Sequence, residues 1–380
     1  MSRQRKKWLS PELSAWLSAN AASLNDSNAL AAEVLPRLSA AGLNRIAVPE
    51  ALGGVGGARH EAVQAIAEVA EHSLTAAFVL WAQRAFIDYL CVTDSPAVRE
   101  RWLASSLNGE VAGATGLSNA MKFLSQLEPL QVKEQLSDGQ RSVGGRLFWV
   151  TNLRAPAFAV AAAVQPAAED RQPLIVILDS ADRGLARSED LDLLALRASN
   201  TAALELEQVA VPDENLLSSN GCDFLKRARP MFLSLQCGMS LGLARSALTA
   251  AGQGGPARDV LRPRIEQAWQ TLQALEDALS SGLDAGCFEA DAPALFRIRL
   301  NLAAVVQEAI QLELQGSGGR AYLRNHLPDF GRRLQESAFV PVVTPSLVQL
   351  QAELNRQSAG SPVGTAVVAT AADSQLQAVV

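Results

Sequence analysis

The feature that most constrains the fold is a block of strand-like runs, residues 113–217, which lies between two long helical stretches. Inside this block apolar residues recur in short segments such as LFWVTN, AFAVAAAV and PLIVILD. Before and after it they recur at helical spacing. We therefore predict an α+β chain with an N-terminal helical domain (1–112), a small central β-barrel or β-sandwich domain (113–217) and a C-terminal helical bundle (218–357). A flexible tail rich in small residues follows at 358–380.

Local signals place several of the elements. Ser10–Pro11 and Ser95–Pro96 each put an N-capping hydroxyl before a proline at the first helical position, so a helix should begin at each pair. The apolar run from residue 58 to 90 predicts one long buried helix or a pair of helices. Asp138–Gly139 predicts a hairpin turn between two strands.

Composition excludes several classes of protein. About half of the residues are apolar and the formal net charge is −6, with no basic stripe, so we expect no nucleic-acid partner and no binding to an anionic membrane. No apolar stretch approaches the roughly 18 residues of a transmembrane helix, and no signal peptide is recognisable. The four cysteines lie far apart without metal-binding spacing, which predicts buried free thiols in a reducing cytoplasm and no metal site.

Two side chains on one predicted strand are unusual for a plain core. Trp149 and Thr151 are two residues apart, so a regular strand would point them to the same face. A face made to contact something other than the core is one interpretation of an indole beside a hydroxyl. The other is that Trp149 is a core aromatic residue and Thr151 an ordinary β-former.

Four stretches, spread over residues 35–356, resemble the acyl-CoA dehydrogenase superfamily. GLNRIAVPEALGGVGG is similar to the Gly-rich loop near the N-terminus of that superfamily, and LFWVTN to its Trp-Ile-Thr-Asn strand. LRASNTAALELEQVAVPDENLL resembles the segment that closes its β domain, and GLARSALTAA with GSGGRAYL resembles its C-terminal helices and Gly-Gly turn. The resemblance implies a flavin, FAD or alternatively FMN, held between the β domain and the C-terminal helices.

The resemblance also implies roles for individual residues. Trp149 would lie against the flavin ring and Thr151 would hydrogen-bond near its reactive edge. Thr115 and Ser118, in GATGLSNAMKF, stand where another flavin strand is expected. The Gly318–Gly319 turn is assigned to the same cofactor.

At the catalytic position the sequence departs from the superfamily. Most members carry a glutamate that takes the α proton of the thioester, and the matching position here is Val343 or Thr344. The alternative location, on the first C-terminal helix, falls in PMFLSLQCGMSLG, which has no acid. Glu336 matches a structural acid of the superfamily. The catalytic residues are therefore unknown.

Other candidates are few. In the superfamily, an arginine motif after the first C-terminal helix reaches the flavin nucleotide of a neighbouring subunit. That motif is missing here, and Arg258 or Arg262 is a candidate for the same role. Of the three histidines, His60 and His72 are expected on helix surfaces or caps, and His326 is a candidate for approaching the site.

Three functions stay open. The first is an acyl-CoA dehydrogenase-like oxidoreductase acting on an acyl-CoA or a related small substrate. The second is a two-component monooxygenase supplied with reduced flavin by a reductase, and the third is a non-catalytic partner subunit. The apolar stretches 230–252 and 293–315 exceed what one buried helix face requires, which predicts a homodimer or homotetramer. An electron-transfer partner is also implied for the dehydrogenase.

Overall fold

A computed structural model describes residues 6–124, 128–137, 140–168, 170–253, 257–323 and 327–360. Among the described residues, five α-helices precede the first strand: α1 (Pro11–Asp26), α2 (Ala31–Ala40), α3 (Arg59–His72), α4 (Leu74–Val92) and α5 (Pro96–Asn108). Ser10 and Ser95 accept hydrogen bonds from Leu13 and Val98, which confirms both predicted helix starts. The run at 58–90 is a pair of helices, α3 and α4, separated at Ser73.

The middle of the chain forms two sheets of four strands each. The eight strands are β1 (Ala112–Gly116), β2 (Lys133–Ser137), β3 (Gln140–Val150), β4 (Phe158–Val164), β5 (Leu174–Asp179), β6 (Leu185–Arg187), β7 (Ala202–Ala210) and β8 (Leu216–Ser218). One sheet has the order β1-β4-β5-β8 and the other β2-β3-β7-β6. β1 runs parallel to β4, whereas the other pairs are antiparallel. A short helix, α6 (Ser118–Leu124), follows β1.

The last part of the chain is helical again. Its elements are α7 (Gly221–Gly252), α8 (Ala257–Asp284), α9 (Cys287–Ala290), α10 (Ala292–Ser317), α11 (Pro328–Phe339) and α12 (Leu347–Gly360). The order of helices, two sheets and helices confirms the predicted fold class, and one apolar core runs through all three parts. Within the described ranges, no helix is long and apolar enough to cross a bilayer.

Several details differ from the expectations. The strands β6 and β8 are additional to the predicted runs, and β1 lies where the resemblance implies a flavin strand. Asp138–Gly139 lies outside the described residues, although β2 and β3 do pair antiparallel. The cysteines are free, but only Cys237 is fully buried, and Cys287 is exposed.

The apolar residues of 230–252 and 293–315 are packed within the chain, so the homodimer or homotetramer stays a prediction. α7 packs against α3, α4, α8 and α10 of the same chain, and most of its residues are buried there. On α10 the exposed positions are mainly polar, for example Arg297, Gln307 and Gln311. The apolar residues of both helices are therefore used inside one chain and do not call for a second copy.

Candidate functional site

A cavity of about 710 Å³ opens where the ends of the sheets meet α4, α7, α11 and α12. Its size falls within the range of about 300–1,000 Å³ typical of small-molecule sites. Four of the six predicted cofactor-binding residues line it: Thr115, Ser118, Trp149 and Thr151. These residues come from β1, the start of α6 and the end of β3, so only the tertiary fold brings them together.

Trp149 stands at the opening because the end of β3 is irregular. The pairing of β3 with β7 shifts register between Leu147 and Val150, and Trp149 has a left-handed φ of 61°. Such a conformation is uncommon for a bulky residue. The irregularity turns the indole out of the sheet, where 64% of the residue is exposed and it lines the cavity. Trp149 is thus not a core residue.

Thr151 follows the last residue of β3 and is buried, so the two side chains do not share one regular strand face as expected. They nevertheless line the same cavity. The Thr151 hydroxyl lies 3.0 Å from that of Thr201, which is 2.7 Å from Ser199 Oγ. The chain of hydroxyls gives the buried wall groups that can both donate and accept hydrogen bonds.

The hydroxyl of Thr115 is held from the opposite side. Tyr89 on α4 lies 3.1 Å from Thr115 Oγ1, and burial raises the pKa of this tyrosine, so the phenol stays protonated. Lys122 on α6 is the one ionisable side chain among the described lining residues, and its ammonium group lies 2.6 Å from Glu128.

Asn152, next to Thr151, connects the end of β3 to other elements by hydrogen bonds. Its buried amide donates to Gln83 Oε1 (2.8 Å) and to the Gly113 carbonyl (2.9 Å), while Gln83 Oε1 also accepts from the Gly113 amide. Asparagine also tolerates the left-handed φ of 68° found here. The amide ties the end of β3 to β1 and α4.

We expect Asn152→Ala to lower the free energy of unfolding by about 1–3 kcal/mol, because it leaves a buried carbonyl without its donor. Urea denaturation measures the change. Asn152→Gly removes the same side chain but fits the backbone angle, so its smaller loss would separate the hydrogen bonds from the strain. An alanine variant as stable as the wild type would contradict this role.

Four aromatic residues on helices form one end of the cavity, and none of them was singled out from the sequence. Phe78, Trp81 and Phe232 are at most 6% exposed, so this is called the closed end. Phe78 and Trp81 on α4, Phe232 on α7 and Phe339 on α11 all line it. Phe78 and Trp81 stack with centroids 5.4 Å apart, and Phe339 meets Phe78 edge-on at 4.6 Å. The i, i+3 spacing of Phe78 and Trp81 was the available signal, since it places both rings on one helix face.

At the position of the usual catalytic glutamate, Val343 and Thr344 both line the cavity. None of the described lining residues carries a carboxylate or an imidazole. Gln236, a polar residue of PMFLSLQCGMSLG, donates its amide to the Thr344 carbonyl at 2.7 Å. The cavity can therefore orient a substrate but has no evident group to take a proton from carbon.

Glu336 is fully buried and does not line the cavity. It lies 2.7 Å from Arg332 and accepts a hydrogen bond from the Leu74 amide at the start of α4. Burial raises the pKa of its carboxyl group against the opposing effect of Arg332. These contacts give it a structural role.

The remaining candidates lie elsewhere. Gly318 and Gly319 begin a short 3₁₀-helix, Gly318–Tyr322, after α10 and are not lining residues, so their assignment to the cofactor stays a prediction. Arg262 pairs with Asp259 within α8. His60 lies on α3 near Asp284, and His72 ends that helix 2.8 Å from Ser18. His326 and the side chain of Arg258 lie outside the described residues.

Comparison with known proteins finds similarity to acyl-CoA dehydrogenases in both sequence and structure. Residues 13–110 match the family described as acyl-CoA dehydrogenase, N-terminal domain. Benzylmalonyl-CoA dehydrogenase of Aromatoleum aromaticum is 24% identical over 273 residues, which make up 71% of each protein. A glutaryl-CoA dehydrogenase solved with glutaryl-CoA has a TM-score of 0.77 at 17% identity, covering 93% of this chain and 97% of that one.

A second similar solved structure contains FMN and a nucleotide sugar instead of a CoA thioester. KijD3, solved with FMN and dTDP-3-amino-2,3,6-trideoxy-4-keto-3-methyl-D-glucose, has a TM-score of 0.76 at 18% identity, covering 92% of this chain and 91% of that one. At such identities the two solved structures show a common fold.

Proposed function

Because this chain belongs to the acyl-CoA dehydrogenase-like superfamily of flavoproteins, we propose that it is a flavin-dependent oxidoreductase that transforms a small substrate in the 710 Å³ cavity. FAD is the proposed cofactor and FMN, present in the KijD3 complex, the second candidate. A bound flavin supplies hydride acceptance or, when reduced, reaction with oxygen. The substrate is an acyl-CoA or a related small molecule.

The side chains at the opening fit an isoalloxazine ring. Trp149 offers a large flat apolar surface, and the hydroxyls of Thr115 and Thr151 can donate to or accept from ring heteroatoms. Ser118 and Lys122, whose ammonium group also contacts Glu128, are lining polar groups that would face an anionic part of the cofactor. In this proposal Trp149 packs on the ring while the threonines fix its orientation.

No described lining residue has a carboxylate, and this observation distinguishes between the two proposed reactions. Oxidation of an acyl-CoA requires a positioned base at carbon, whereas the two-component monooxygenases of this fold use flavin reduced by a separate reductase and need no such base. The site therefore favours the monooxygenase over the dehydrogenase. If the protein shows neither dehydrogenase nor monooxygenase activity, a non-catalytic partner subunit is the remaining hypothesis.

The organisation around this site is also a proposal. We place the domain boundaries at 1–112, 113–217 and 218–357. A homodimer or homotetramer is proposed from the superfamily alone, with an electron-transfer partner or a reductase according to the reaction class.

Trp149→Ala should weaken flavin binding by about 1–3 kcal/mol, because it removes one large packed aromatic surface. Fluorescence titration with FAD and FMN measures the change. Phe148→Ala is the matched control, since Phe148 is the adjacent exposed aromatic residue and does not line the cavity. A wild-type protein without affinity for FAD, FMN or their reduced forms would refute the proposed function.

A further inference from the structure

We propose that the part of the substrate entering the closed end of the cavity is an uncharged aromatic ring. This inference rests on the proposed function in using the same cavity, and it adds the class of substrate. The four rings at the closed end, Phe78, Trp81, Phe232 and Phe339, are called the aromatic end below.

The aromatic end is built as a network of ring contacts. Phe78 and Trp81 are nearly parallel, with an interplanar angle of 11°, whereas Trp81 and Phe232 are tilted by 57° with centroids 5.1 Å apart. Offset-stacked and edge-to-face pairs at such distances are the arrangements that aromatic rings prefer. The rings are held by three helices, so their faces and edges are fixed before a ligand arrives. A flat ring can join the network by the same contacts, but a flexible alkyl chain cannot.

The aromatic end also offers no partner for a charge. The Trp81 indole donates to the Phe232 carbonyl at 3.3 Å, so its N–H is already used. The neighbouring lining residues Ala338 and Val343 are apolar, and the polar ones, Gln335 and Thr344, are uncharged. Gln335 Oε1 already accepts from Asn25, and Lys122, the charged residue of the described lining, is paired with Glu128. A charged group buried here would lose its hydration without compensation. The geometry thus selects against charge as well as for flatness.

Phenylacetamide, cyclohexylacetamide, hexanamide and 4-carboxyphenylacetamide form a matched set of probes. Calorimetric titration of each, with the flavin-free and the flavin-loaded protein, measures binding without turnover. We expect phenylacetamide to bind about 2- to 12-fold more tightly than cyclohexylacetamide, the increment typical of an added aromatic pair. The 4-carboxy compound, whose charge would enter the closed end, should bind at least about tenfold more weakly than phenylacetamide.

Two variants locate the effect. Trp81→Leu should reduce the preference for the phenyl compound to less than twofold, whereas Trp102→Leu removes a similarly buried tryptophan that does not line the cavity and should keep it. If Trp81→Leu does not fold, Phe339→Leu, at a half-buried position, provides the same comparison, and the selectivity of the wild type is itself decisive.

The results separate this inference from the proposed function. Suppose that the wild type binds flavin. The aromatic substrate class alone is then overturned if the protein prefers cyclohexylacetamide or hexanamide, binds the 4-carboxy compound as tightly as phenylacetamide, or binds none of the probes. A phenyl preference in a protein that binds no flavin overturns the proposed function and leaves the aromatic end as a binding site.

Discussion

Straight-chain and branched acyl-CoA thioesters should fail to bleach the flavin of the wild-type protein under anaerobic conditions. Proton removal from the carbon beside a thioester carbonyl needs a positioned base, and such a base contributes about 10²- to 10⁴-fold to the rate. Val343 and Thr344 occupy the family position, and no described lining residue carries a carboxylate or an imidazole. Stopped-flow absorbance of the flavin with a panel of acyl-CoAs measures the rate.

Supplying a carboxylate at that position should restore part of the reaction. Thr344→Glu places an acid on the cavity wall without removing the backbone carbonyl that Gln236 binds, and Val343→Glu tests the other register. Val348→Glu is the matched control, because Val348 also lines the cavity but is 76% exposed. We expect faster bleaching in one of the first two variants and none in the control.

Fast bleaching by the unmodified protein would show that another residue serves as the base, and the argument for a monooxygenase would then fail. Consumption of oxygen and conversion of substrate with pre-reduced flavin, combined with no bleaching, would support the monooxygenase. Inactivity in both assays would leave the non-catalytic subunit.

Glu336→Ala should lower the free energy of unfolding by about 3–5 kcal/mol. It leaves the guanidinium group of the buried Arg332 without its close partner and removes the acceptor of the Leu74 amide. Breaking a buried ion pair from one side costs about this much, and the guanidinium group keeps a longer contact of 3.5 Å with the exposed Asp329. Urea denaturation measures the loss, and Glu336→Gln, which can still accept from Leu74, should recover part of it.

The control is an exposed ion pair with the same spacing. Arg37 and Glu33 are also four residues apart on one helix, with a separation of 2.6 Å, but both side chains are more than two-fifths exposed. Glu33→Ala should cost less than about 1 kcal/mol because water screens and replaces this contact. Equal losses in the two variants would contradict the structural role of Glu336.

The sequence by itself determined the order of the elements and the family. Helix starts at Ser10 and Ser95 could be predicted because capping is a local interaction between residues three positions apart. The strands β4 and β5 could be predicted because their side chains are apolar and buried, apart from Asp179 at the end of β5. The motif LFWVTN directed attention to Trp149, Thr151 and the resemblance to a flavoprotein family.

Only the tertiary structure decided the rest. β1 is the segment AGATG, in which Thr115 is the one residue that favours a strand, and the glycine at 113 lets the backbone approach Phe86. The outward position of Trp149 depends on an irregularity in the pairing of β3 with β7, which no spacing rule predicts. The aromatic end needs rings from three helices that are up to 261 positions apart (Phe78 to Phe339). Contacts between such distant residues have no local signal, because they depend on how the whole chain packs rather than on the residues nearby.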